Sequence, residues 1–209
     1  MNVLKRAFDA RYETRDEEAN GIVSGRPIIL NSITDLGCFR EVIDTRALDG
    51  ADVTDVRLCL NHDTSYVYAR SRNNNPNSTM QISTDSDGLT FTASLALEES
   101  PRARDFYTAI KRGDIDKMSF MFSMEDYEWD DVESDSPIRR ITKIGKVFEI
   151  SAVTFPAYQS TAIEARDAAT LDSVKRELEN LRASRLSASL DSDIELAKAK
   201  YNYYRRNSR

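Results

Sequence analysis

The chain has 209 residues and one histidine, His62, in the run Leu60-Asn61-His62-Asp63. Any imidazole that moves a proton within this chain is therefore His62. It follows Val56, Leu58 and Leu60, which alternate with Arg57, Cys59 and Asn61 as in a half-buried strand. Parity puts His62 at the end of that strand, on the face of those apolar residues. A hydroxyl candidate is Ser119, in Met118-Ser119-Phe120-Met121-Phe122. Phe120, Phe122 and Met124 share one face of this strand and form its core side, while Ser119, Met121 and Ser123 share the other. A serine hydroxyl becomes a nucleophile only when a base takes its proton. The carboxylate candidate is Glu149, in Val147-Phe148-Glu149-Ile150-Ser151. In so apolar a strand it needs a partner, because an unpaired buried charge is costly. Holding an imidazole by its second ring nitrogen is one such role. Taken singly, His62 is more simply a capping histidine, Ser119 an ordinary strand serine and Glu149 a solvated edge residue.

Other groups offer less. Glu125, Asp126, Glu128, Asp130, Asp131, Glu133 and Asp135 form an acidic cluster without the glycine and spacing of a calcium loop, and read as a solvated hairpin loop. Lys117 lies two residues from Ser119, where a Ser–Lys dyad is conceivable, but it is more simply a solvated strand end. Cys59 with His62 would make a thiol pair, yet their odd separation on a strand points them to opposite faces. Cys38 and Cys59 form neither a disulfide framework nor a zinc pattern. No metal and no cofactor is expected.

The elements that must position these residues are mostly short strands over 22–155. Asp85-Ser86-Asp87-Gly88 joins two of them as a hairpin. Segments 118–124, 138–144 and 146–155 read as three more, the last two separated by Gly145. One helix interrupts them over about 101–112, with Ser100 as N-cap, Pro101 at its first position and Gly113 as its stop. Residues 165–204 read as helix, with no Gly or Pro after Pro156. Leu171, Val174, Leu178 and Leu181 give it one apolar seam, which Arg185 ends. That seam docks either on a partner or on the chain's own body. The fold class expected is α+β, mainly β, a barrel or sandwich with helices packed on it.

Charge divides at the same place. The formal net charge is −6, yet residues 164–209 hold 10 basic and 8 acidic side chains, which leaves 19 and 27 for residues 1–163. An acidic body of 1–163 thus carries a mildly basic helical tail, 164–209. The acidic balance argues against a general nucleic-acid binder. Apolar runs such as Pro27-Ile28-Ile29-Leu30 are far short of a membrane span. The opening Met1-Asn2-Val3-Leu4-Lys5-Arg6 lacks a signal peptide's apolar core, so the expected setting is a reducing cell interior without secretion.

Several segments, in order, resemble the prohead (procapsid maturation) proteases of tailed bacteriophages. They are Leu36-Gly37-Cys38-Phe39-Arg40-Glu41-Val42-Ile43, Asn61-His62-Asp63, Asp87-Gly88-Leu89, Arg112-Gly113-Asp114-Ile115 through Ser119-Phe120, and Phe148 to Ala157. Together they cover about residues 20–160. The resemblance implies a fold similar to herpesvirus assemblin, a closed β-barrel ringed by helices. It implies a serine endopeptidase with His62, Ser119 and Glu149 as catalytic residues, and an arginine near the oxyanion, for which Arg139 and Arg140 are the candidates. It implies action inside the immature shell in the host cytoplasm, on a scaffold protein or a scaffolding segment of the major capsid protein, and then on the enzyme itself. The tail, joined at 161–166, fits this scheme either as a scaffold-targeting element removed by self-cleavage or as a permanent helical tail. A homodimer stays open. Two residues depart from the pattern: Leu60 stands where an aromatic is common, and Met121 where glycine is common. The alternative is a catalytically silent assembly protein that keeps the fold.

Overall fold

The structure, a computed structural model, describes residues 2–8, 12–14, 21–155 and 165–207. Among these residues eleven strands and two helices follow in chain order: β1 (Asn2–Phe8), β2 (Tyr12–Thr14), β3 (Ile22–Ile29), β4 (Ile33–Asp35), β5 (Arg40–Ile43), β6 (Asp55–Leu60), β7 (Ala69–Arg72), β8 (Met80–Asp85), β9 (Gly88–Ser94), α1 (Pro101–Arg112), β10 (Lys117–Asp130), β11 (Ile138–Val153) and α2 (Ala165–Asn207). The fold is mainly β.

The long antiparallel hairpin of β10 and β11 organises the molecule. On its outer side β10 carries β1, antiparallel, from Asn2 opposite Met124 to Phe8 opposite Met118. On the other side β11 takes two parallel partners in succession. Its first residues pair with β5, and Glu149 to Ala152 pair with Arg57 to Leu60 of β6. With β4 and β7 these make a seven-stranded sheet. A four-stranded sheet, β2-β3-β9-β8, packs against it.

The closed barrel expected from the resemblance is corrected here: among the described residues the strands form two sheets and no closed ring of hydrogen bonds. The seam between them is filled by side chains. Leu4 of β1, Val23 and Ile28 of β3, Phe91 of β9, and Phe120 and Phe122 of β10 belong to one buried core. Register shifts between Met121 and Tyr127 interrupt the β10 ladder. Such bulges bend a strand, letting one sheet wrap over the other without a further ladder.

Sequence signals placed the local elements well. Helix α1 starts on Ser100, whose Oγ accepts the Ala103 N–H at 3.2 Å, and ends at Gly113 in the left-handed region. Ala103, Phe106 and Ile110 form its buried stripe, and Tyr68 stacks on Phe106 with centroids 4.1 Å apart. The Asp85–Gly88 turn joins β8 and β9 as expected.

Two segments differ. The strand does not break at Gly145, so β11 runs unbroken from Ile138 to Val153. There the Glu125 side chain lies where a Cβ on residue 145 would be, so glycine admits a neighbour rather than a turn. Of the acidic stretch expected as loop, Asp131, Glu133 and Asp135 lie in the hairpin connection as expected, while Glu125 to Asp130 is instead the outer half of β10. Basic residues of β11 neutralise it: Lys143 Nζ lies 2.9 Å from Glu125, and Arg140 Nη2 lies 2.7 Å from Asp130.

Residues 174–182 of α2 dock on the chain's own body, and the Leu171 side chain of the expected seam lies outside the described residues. Val174 and Leu178 are buried with Phe39 and Val132, beside Trp129 and Leu181. Glu177 accepts hydrogen bonds from Tyr127 Oη at 2.7 Å and Trp129 Nε1 at 3.0 Å. Arg182 donates to the carbonyls of Val132 and Ser134. Beyond it Leu186, Leu190 and Ile194 are exposed. The joint expected at 161–166 lies mostly outside the described residues. Among the described residues no helix is long and apolar enough to cross a membrane.

Candidate active site

Three adjacent strands bring the site together. On β11, Glu149 and Ser151 point the same way, two residues apart. Ser119 of β10 stands directly opposite Ser151, and Met121 opposite Glu149. On the far side, β6 ends at Leu60 and hands the chain to Asn61 and His62.

Both Asn61 (φ 50°) and His62 (φ 61°) are left-handed. Asn tolerates this region, but for His it is uncommon, so surrounding contacts must hold it. The Asn61 N–H donates to the Ala152 carbonyl at 2.8 Å, and its Oδ1 accepts from the Thr154 N–H at 3.0 Å. The His62 N–H donates to Ser151 Oγ at 3.1 Å. Asp63 then turns the chain away, its Oδ1 accepting the Ser65 N–H at 2.9 Å. Each residue of Asn-His-Asp thus has a separate job in aiming one imidazole.

The aim is at Glu149. His62 Nδ1 is hydrogen-bonded to Glu149 Oε1, and Ser151 Oγ donates to Glu149 Oε2. Glu149 is 1% exposed, while the His62 side chain keeps 14%. A buried carboxylate on Nδ1 fixes the ring and the tautomer that presents Nε2 for proton transfer. The pair can therefore serve as an oriented base.

Ser119 is on the neighbouring strand but engages another group. Its Oγ donates to the Arg6 carbonyl at 2.9 Å, and the residue is 1% exposed under β1. The expectation from parity was a serine pointing out of the core. It does lie opposite the phenylalanine face, but β1 covers it.

Arg139 and Arg140 both have carboxylate partners. Arg139 donates Nε and Nη2 to Glu41 Oε2, and its guanidinium packs 4.7 Å from the Phe39 ring. Arg140 donates to Asp130. Neither is hydrogen-bonded to Ser119 among the described residues.

Cys59 departs from the parity argument. Its thiol lies against Glu149, on the same side as His62, because the two left-handed residues cancel strand alternation. Burial, reinforced by Glu149, pushes that thiol up to about 12, so it stays protonated and is a poor nucleophile. Lys117 forms a 3.4 Å contact with its neighbour Asp116. No cluster of three or more His, Cys, Asp or Glu suited to a metal occurs among the described residues.

Sequence reasoning gave no role to Ser151 or Arg6. Ser151 was visible as the i+2 neighbour of Glu149, and its clasp on both the His62 backbone and Glu149 follows from that spacing. Arg6 carried no signal, since its contacts span 113 residues to Ser119 and 35 to Glu41.

The residue types gathered on these three strands, a carboxylate-held imidazole and a strand serine, are those that a serine hydrolase uses, with the serine hydroxyl here bonded to the Arg6 carbonyl. A family model described as caudovirus prohead serine protease matches residues 9–177, and the chain belongs to that family. Its members are serine peptidases of phage maturation. Searches of the curated proteins and of the solved structures return no match to this chain.

Proposed function

We propose that this chain is a serine endopeptidase that acts inside the assembling procapsid in the host cytoplasm. The observation that carries this is the His62 Nδ1–Glu149 bond, on the strand whose Ser151 faces Ser119. In the reaction His62 Nε2 takes the Ser119 proton while Oγ attacks the scissile carbonyl carbon. Glu149 steadies the imidazolium. The carbonyl's electron pair returns, the C–N bond breaks, and the leaving amine receives that proton from His62. Water, deprotonated by the same ring, then hydrolyses the acyl-enzyme and frees Ser119. An oxyanion donor must contribute as well, commonly about 3 kcal/mol each; Arg139 and Arg140 are candidates only after rearrangement.

The substrates proposed are the scaffold protein or a scaffolding segment of the major capsid protein, and the enzyme itself. The exposed Leu186, Leu190 and Ile194 stripe of α2 supports the tail as the scaffold-seeking element. Confinement in a shell raises effective concentration, so modest intrinsic activity is sufficient. One observation favours the silent-assembly reading instead: Ser119 is covered and gives its proton to a carbonyl.

Co-expression with the capsid and scaffold proteins separates the two. Wild type should process them and Ser119→Ala should leave them full length. Equal processing by both would overturn the protease assignment.

A further inference from the structure

Strand β1 lies where a substrate has to lie. It is the edge strand beside β10, and Ala7 stands directly opposite Ser119. Attack needs a carbonyl carbon about 3–3.5 Å from Oγ and the hydroxyl proton directed to the base. Here the Arg6 carbonyl oxygen lies 2.9 Å from Oγ and accepts that proton, so a peptide carbonyl already faces the hydroxyl in a resting, hydrogen-bonded pose. The region matched by the family begins at residue 9, after β1. We propose that β1 is an internal pseudo-substrate: it occupies the β10 edge that receives an extended peptide, and its side chains report which peptide that is. This rests on the protease reading above.

The chemistry of the strap supports exchange. A peptide adding to β10 would replace the β1 ladder bond for bond. Arg6 enters a buried cluster, donating Nε to Glu41 Oε1 and Nη2 to Glu41 Oε2 at 3.0 Å. Arg139 binds the same carboxylate independently. When Arg6 withdraws, Glu41 keeps one guanidinium, so β1 can leave without stranding a buried unpaired charge. The vacated position then faces Glu41 Oε1 and suits a basic side chain. Two residues earlier Leu4 is buried against the core, so an apolar residue suits that position. Because the Arg6 carbonyl meets Ser119, the basic residue is the one whose carbonyl is attacked. The substrate class is an extended peptide of the form apolar-x-basic, cut after the basic residue.

The test uses the full chain and a fluorophosphonate probe that labels an activated serine, with Ser119→Ala as the blank. Arg6→Glu sets a carboxylate against Glu41 and should expel β1, raising the labelling rate about tenfold or more as the open population grows. A Lys5→Cys/Met121→Cys pair joins directly opposed strand positions. Oxidation should abolish its labelling and reduction restore it, which keeps the test decisive if Arg6→Glu misfolds. A Leu-Lys-Arg-Ala peptide should compete with the probe on Arg6→Glu, and Leu-Lys-Glu-Ala should not. Wild type labelling as fast as Arg6→Glu, or a clamp indifferent to redox state, would overturn the strap while leaving the protease intact. Equal competition by both peptides would overturn the basic preference. Labelling of none of the chains above the blank would bring down the protease reading, and the strap with it.

Discussion

At the residue scale, the site depends on how Glu149 is held. It sits between the His62 ring and the Ser151 hydroxyl, with almost no exposure. Glu149→Gln keeps the shape but removes the charge that stabilises an imidazolium. Peptidase activity should fall roughly 100- to 10,000-fold with the melting temperature little changed, by analogy with the loss of a triad carboxylate. A drop below tenfold would mean that Glu149 does not serve the base. Cys59 gives a second expectation. With its thiol at about 12 and no exposure, it should resist iodoacetamide at pH 8 in the folded protein and react after denaturation, as counted by mass spectrometry. Strand parity makes the three residues candidates, because it isolates polar residues between apolar ones, but leaves each with an ordinary reading, and only the order of the motifs joins them. What parity could not carry was the turn at Asn61 and His62. Two left-handed residues in a row re-aim the ring, and nothing in residue type demands them of a histidine.

At the element scale, local signals such as the Ser100 cap, the Asp85–Gly88 turn and the Gly113 stop fixed their elements within a residue or two. The acidic half of β10 reads as loop from sequence because what makes it strand is its ladder with β11, from Asp126 opposite Lys143 to Asp130 opposite Ile138, a pairing invisible along the chain. The same distinction between local and cross-chain support divides α2. Residues 174–182 are docked by Val174, Leu178, Glu177 and Arg182, whereas Leu186, Leu190 and Ile194 touch nothing that buries them. Ending the chain after Arg182 should therefore leave thermal unfolding of the body nearly unchanged. Leu178→Ala should cost about 2–5 kcal/mol of docking, as a buried leucine does. Hydrogen exchange in 165–182 would show it, with fast exchange in Leu178→Ala and protection in the shortened chain. In the turn, Gly88 adopts φ 141° and a Cβ there would overlap the Ile28 carbonyl. Gly88→Ala should break the β3–β9 pairing and yield insoluble protein, whereas the neighbouring exposed Asp87→Ala should stay soluble.

At the scale of the whole molecule, two sheets that share no closing ladder among the described residues are tied by a common core, and within the larger sheet the buried ion-pair cluster at Glu41 is the one that matters for acid response. Asp55 is held low by its hydrogen bond to Arg70, Asp85 by Arg26 and Asp52 by Lys146, but all three are solvated and each contributes little. Glu41 differs. Burial pushes its carboxyl up, and Arg6 and Arg139 together outweigh burial to hold it below the ordinary range. A folded-state value below the unfolded one means that stability is present above the unfolded value, about 4, and is lost as pH falls through the folded one. Stability should therefore be level from about pH 8 to 5 and decline below about 4. The Glu41→Gln variant isolates the cause. At pH 7 it leaves two guanidinium groups without their carboxylate and should lose about 3–5 kcal/mol in urea unfolding. Below the unfolded value the wild type progressively loses the Glu41 contribution that the variant never had, so the gap must narrow. Unfolding curves that stay equally separated at pH 7 and pH 3 would show that the Arg6–Glu41–Arg139 cluster does not set the acid response. A gap that narrows would place that response in the same three residues that fasten β1 over Ser119.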